Sequence, residues 1–219
     1  PASMNIEVKP YGISGLRTDL TAVPAVDNET HAEAGLDVKY GITANLTVDL
    51  TYNTDFAQVE VDEQRVNLTR FPLFFPEKRD FFLENSGMFN VGAASGGFNR
   101  LADLFFTRRI GLSAGGQLGP IIGGARLSGK VNRHNVAVMN ITTQEAFGNP
   151  GENFFVGRYS RDILSRSKIG GIVINKEAVG DGAHYNRTFA VDTTLALHRN
   201  FVVNGFIAKT ETPGVSSGD

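Results

Sequence analysis

Seven charged residues and a separate group of carboxylates are the side chains here whose types and spacing suit chemistry. Asp55, Glu60 and Asp62, with Glu63, place hard oxygen ligands within nine residues, a density at which calcium can be coordinated. The spacing is not that of an EF-hand loop and glycine is missing from its centre, so a solvated loop or ion-pair role is the preferred reading. Glu77 and Glu84 are the pair an envelope hydrolase would use as acid and base. Arg108 and Arg109 offer guanidinium forks suited to phosphate or carboxylate. Pairing with carboxylates of the same segment is the preferred alternative. With Arg70, Lys78 and Arg79, these charged residues are the candidates for contacting a ligand or for holding their segment in place as a plug.

Other chemistries find little support. The chain has no cysteine, which removes disulfides, thiolate metal sites and cysteine nucleophiles together. His31, His134, His184 and His198 lack ligand spacing such as HxxxH, so they define no metal site. The glycine pairs at Gly115-Gly116 and Gly123-Gly124 lack the strand-to-helix setting of a phosphate-binding loop. With a net charge of −2 and basic residues spread along the chain, no nucleic-acid partner is expected. No cofactor is expected either.

Most of the charged candidates lie in or beside one unusual stretch, NLTRFPLFFPEKRDFFLENSG at residues 67–87, which holds five phenylalanines, two prolines and six formal charges. It is too charged to span a membrane as a helix and too aromatic for a flexible linker. Pro76 and Glu77 read as the first turn of a short helix that Asn85 and Gly87 would end. Phe75, Phe82 and Phe89, with the Phe74–Phe81 pair, give it an apolar side.

The rest of the chain reads as strand. Twenty-five glycines, sixteen phenylalanines and five tyrosines without tryptophan suit tight turns and half-apolar strands. Leu36, Val38, Tyr40 and Ile42 share one face, as do Leu46, Val48, Leu50 and Tyr52, with polar residues opposite; the two runs form a hairpin through Thr43 and Ala44. Similar pairs follow at 125–131 with 136–143, 154–161 with 168–176, and 187–198 with 201–210, after a first strand at Met4–Pro10. The expected total is nine. Short connections near 43, 133, 164 and 199 alternate with long ones at 11–32, 55–120, 144–152 and 177–186, which puts every long connection on one rim. An outer-membrane barrel has that asymmetry, with short periplasmic turns and long extracellular loops. A ten-residue strand tilted by roughly 40° covers about 25 Å, the height of the apolar band. The connection 55–120 then hangs from the long-loop rim, and its mixed character predicts that it folds inward as a lumen plug or rim cap.

Several ordered blocks carry a resemblance: Asp55-Phe56, Gln58-Val59-Glu60, Asn67-Leu68-Thr69-Arg70-Phe71, Phe75-Pro76-Glu77-Lys78-Arg79, Phe81-Phe82-Leu83-Glu84 and Arg108-Arg109-Ile110-Gly111. Over residues 33–111 closely, and more loosely beyond, the chain resembles a bacterial domain of unknown function. That domain forms a β-barrel downstream of a family-nine-type carbohydrate-binding module in Gram-negative envelope proteins, including those of Bacteroidetes and Gemmatimonadetes. The resemblance implies a place in the bacterial outer membrane, contact with its lipid, and a tie to saccharides. It brings no reaction. The expected fold is an all-β antiparallel meander, a single β-barrel domain over 1–219 with the insert at 55–120. Because nine is odd and single-chain bacterial barrels have even strand numbers, the chain reads as the first portion of a larger barrel. Three functions follow: an outer-membrane barrel for transport or surface binding of a ligand, a soluble extracellular β-domain that binds carbohydrate or a protein, and an envelope hydrolase.

Overall fold

The computed structural model describes residues 5–20, 26–53, 77, 79–92, 104–111, 119–146, 148–198 and 200–215. Period-two alternation directs successive side chains to opposite faces of an extended chain, and among the described residues it yields nine strands. These are β1 (Ile6–Asp19), β2 (Val26–Thr43), β3 (Leu46–Tyr52), β4 (Ile121–Val131), β5 (His134–Thr143), β6 (Glu152–Asp162), β7 (Lys168–Ala178), β8 (Asp181–His198) and β9 (Phe201–Glu211). They lie in one sheet in sequence order, each antiparallel to the next. Among the described residues β1 and β9 remain edges, so the sheet is not closed into a barrel.

The rim asymmetry takes a different form from the one expected. Residues 11–19 and 26–32, expected to lie within a long connection, belong to β1 and β2. The connection expected at 177–186 is mostly strand as well, and only Val179 and Gly180 separate β7 from β8. The reason is that a hairpin ladder satisfies its own backbone hydrogen bonds without burying a face. Polar residues such as Asp27, Thr30, Asp181 and Asn186 can therefore extend strands where no apolar alternation marks them. Strict alternation of loop lengths fails; β2 and β8 reach eighteen residues on the side where β3 and β4 are joined by the insert.

Register fixes the two faces. Across the sheet Asp49 pairs with Arg126, Arg126 with Met139, Met139 with Val156 and Val156 with Ile174, which puts all five on one face. That face is covered: Arg126, Met139 and Val156 are buried, as are Asp49, Arg158 and Asp192. On the opposite face Val48, Leu127, Val138, Gly157, Val173 and Phe189 follow one another in register. There Leu50, Phe155, Val173, Phe189, Val191 and Ile207 are exposed. The covered face buries paired charges among apolar residues such as Met139, Val156 and Ile174, while the opposite face leaves apolar residues exposed.

The covering elements come from the insert. Helix α1 (Asp80–Leu83) and a 3-10 turn at Ser86–Phe89 replace the longer helix expected from Pro76, which lies outside the described residues. The Glu77 carboxylate accepts the Arg79 amide at 3.0 Å, so it caps the helix from outside and delays its start. Asn85, at φ 53, occupies the left-handed region and ends it.

Candidate functional site

The insert meets the buried face of the sheet through an apolar layer and two guanidinium clamps. Phe81, Phe82, Phe89, Val91 and Ile110 form one cluster with Met139, Ile141, Val156, Ile172 and Ile174 of the sheet. Phe81 and Phe82 pack edge to face with ring centres 5.2 Å apart. Each of these buried rings contributes about 1.5–3 kcal/mol by leaving water.

Arg126 of β4 makes the first clamp. Its Nε and Nη2 donate to Asp49 Oδ2 at 3.1 and 2.8 Å, while Nη1 donates to the carbonyl of Phe81 and, at 2.6 Å, to that of Glu84. The guanidinium also sits 5.1 Å from the Phe81 ring centre. A sheet side chain thus completes the carbonyl end of the insert helix, where the orphaned carbonyls need donors. Glu84 adds a bond from Lys39 Nζ at 2.6 Å and lies 3.7 Å from Arg126. Asn85 donates to Ser128 Oγ at 3.1 Å.

Arg158 of β6 and Asp192 of β8 make the second. Nη1 lies 2.5 Å from Oδ1 and Nη2 donates to Oδ2 at 2.8 Å, and the same Oδ2 accepts the amide of Gly92 at 2.9 Å. The pair reaches diagonally over β7, where Gly170 stands between Ser160 and Asp192 in register. A Cβ at 170 would come within 2.7 Å of Arg158 Nη1, so the glycine makes the clamp possible. Ser128 is seven residues along β4 from Ile121, next to the insert's return, or about 23 Å at ~3.3 Å per residue. The insert therefore runs from one rim past the middle of the sheet.

Arg79 ties the insert together. It donates to Glu77 Oε1 and Oε2 at 2.9 and 2.8 Å and to the carbonyls of Ile110 and Thr107 at 2.9 and 2.7 Å. Its guanidinium lies 4.1 Å from the Phe82 ring centre. Burial alone would raise the Glu77 pKa, but the bonds and charge of Arg79 outweigh it and hold the carboxyl below its ordinary value. So engaged, Glu77 is a poor proton donor at neutral pH, and Glu84 is bound to Lys39 and Arg126 instead. Arg108 is buried and Arg109 exposed. Arg70 and Lys78, and the calcium candidates Asp55, Glu60 and Asp62, lie outside the described residues. Among the described residues no group of three His, Cys, Asp or Glu could hold a metal, and no helix is long and apolar enough to cross a membrane.

Arg158 and Asp192 are absent from the site candidates read from sequence. Their signal was available: opposite charges at matching parity on β6 and β8, with glycine between them on β7.

A family model described as Domain of unknown function (DUF5916) matches residues 4–141, from the start of β1 through most of β5. No curated protein and no solved structure matches.

Proposed function

The chain belongs to the family described as Domain of unknown function (DUF5916), and from that premise we propose that it is part of a bacterial outer-membrane β-barrel whose insert occupies the lumen. The observation that carries this reading is the uncovered apolar face, with Leu50, Val173, Phe189, Val191 and Ile207 exposed, opposite a face on which Arg126, Asp49, Arg158 and Asp192 are buried under the insert. Lipid is the medium in which an exposed apolar strand face is stable and a charged lumen face is not penalised. The outward residues Phe189 to Leu197 of β8 cover about 26 Å of strand, or about 20 Å of height at a tilt of roughly 40°, close to the apolar band of such barrels. The open edges of β1 and β9 are the positions at which further strands would close the wall.

In this reading the protein moves or displays a small ligand, and the insert acts as plug or gate. The decisive experiment is detergent partition of the full-length protein with gel migration before and after heating. Recovery in detergent with heat-modifiable migration supports the barrel. Recovery in the aqueous phase refutes it and favours a soluble β-domain whose apolar face meets another protein surface. Deleting residues 67–87 should raise conductance in planar bilayers; unchanged conductance with intact folding would sink the plug.

A further inference from the structure

We propose that Arg133 and Arg161, at the short-turn end of the outward face, grip the phosphodiester headgroups of anionic phospholipids. The proposal rests on the barrel reading and adds the lipid class that the wall prefers. Arg161 follows Tyr159 on the outward side of β6 and stands in register with His134 of β5 and Ile169 of β7. Arg133 occupies the β4–β5 turn just before His134, and its carbonyl accepts the Asp162 amide at 2.8 Å. That bond puts the two arginines at one corner of the sheet. Both are exposed, and among the described residues neither has an ion-pair partner. Asp162, the carboxylate beside Arg161 in sequence, is turned to the covered side, where Lys130 donates to it at 2.6 Å and Asn135 at 3.4 Å. Cations at the opposite end of the outward face are engaged: Lys209 lies 2.7 Å from Glu211, and Arg187 lies 3.9 Å from Glu177 and donates to Asn175. Unbalanced positive charge therefore gathers at the turns.

The surroundings suit a lipid headgroup. Tyr159 and Ile169 flank Arg161 and are exposed, as are Ile163 and Leu164 of the turn that follows. The Tyr159 hydroxyl lies 2.6 Å from His134 Nδ1, with the two ring centres 5.9 Å apart. They form an aromatic step at the edge of the apolar face, the level at which barrels carry their girdles. An arginine at that level lays its alkyl stem over apolar neighbours and keeps its guanidinium among the headgroups. The guanidinium fork matches two non-bridging phosphate oxygens with parallel N–H donors. Free phosphate offers the same oxygens but gains nothing from the apolar flank, which favours the lipid.

The test is electron paramagnetic resonance of the full-length protein in phosphatidylcholine vesicles, with spin-labelled phosphatidylglycerol or spin-labelled phosphatidylcholine as the probe. A component slowed at the protein surface is expected for both lipids. Phosphatidylglycerol should be held about threefold to tenfold more strongly, since each basic residue near an anionic lipid surface is worth about fivefold. Sodium chloride at about 1 M should shrink the preference. Arg133→Gln with Arg161→Gln should bring the ratio towards one, while Lys209→Gln should leave it unchanged. Equal retention of the two lipids, a preference indifferent to the double change, or one untouched by salt would each overturn the assignment. Loss of the preference to inorganic phosphate, but not to chloride at the same ionic strength, would make soluble phosphate the ligand and overturn it as well. The wild-type ratio needs no variant, so misassembly of the double variant leaves the test intact. Absence of any slowed component refutes the barrel itself; a slowed component without preference refutes only the headgroup site.

Discussion

Replacing Arg126 by methionine tests whether the insert is held by the wall or merely lies against it. Arg126 is 1% exposed, and the change keeps most of its volume while removing four hydrogen bonds, two to Asp49 and one to each of two insert carbonyls. Asp49 would remain buried without its cation. Breaking a buried pair in this way costs about 3–5 kcal/mol, most of it the stranded charge. If the insert leaves the sheet as a unit, amide exchange across α1 and Ser86–Phe89 should accelerate by roughly a hundredfold to a few thousandfold. Hydrogen exchange read by mass spectrometry on peptides covering 80–92 measures this directly. Adding Asp49→Leu should recover much of the loss, because two apolar residues leave no charge stranded. Lys39→Met is the contrast: Lys39 and Glu84 are both well exposed, at 39% and 38%, so under about 1 kcal/mol is at stake. Unchanged protection in Arg126→Met, or a double variant as loose as the single one, would refute the clamp.

Gly170→Ala should cost about 1–3 kcal/mol by overpacking, since its Cβ would fall 2.7 Å from Arg158 Nη1; loosening should appear as faster exchange near Gly92. Glu77 makes the insert acid-sensitive, because its folded pKa lies below the ordinary 4.5. Its contribution is complete above 4.5 and is lost as pH falls through the lowered folded value, so protection of 79–83 and 107–110 should decline only below 4.5, and Glu77→Gln should abolish that acid step. Val191→Arg, on the exposed apolar face, should destabilise the protein in lipid vesicles by about 2–4 kcal/mol, measured by urea unfolding. A shift within about 0.5 kcal/mol is what a solvated surface would give and would count against the membrane.

Much of the sheet is legible in the chain because its signal is local. Alternation of Leu46, Val48, Leu50 and Tyr52 with Thr47, Asp49 and Thr51 sets a strand and its two faces together, and β2 through β9 fall where such runs stand. Polar strand ends are less legible. Residues 26–32 and 181–186 extend β2 and β8 through ladder pairing and local polar bonds such as Asn186 Nδ2 to Thr212 Oγ1, which leave no apolar alternation in the sequence. The short helix was legible through Asn85, whose left-handed backbone ends it, but its late start was not, since that depends on the Glu77 side chain taking the Arg79 amide.

By itself, then, the sequence determines an all-β meander with one apolar and one polar face, interrupted by an aromatic and charged insert, because period-two patterning and turn chemistry act over a few residues. Which charges meet was decided by tertiary structure alone. Arg126 finds the carbonyls of Phe81 and Glu84 from more than forty residues away, and Arg158 finds Asp192 across an intervening strand through the gap at Gly170. Such partners are set by strand register and by the path of the insert over the sheet. Neither is written in the spacing of the residues that they bring together.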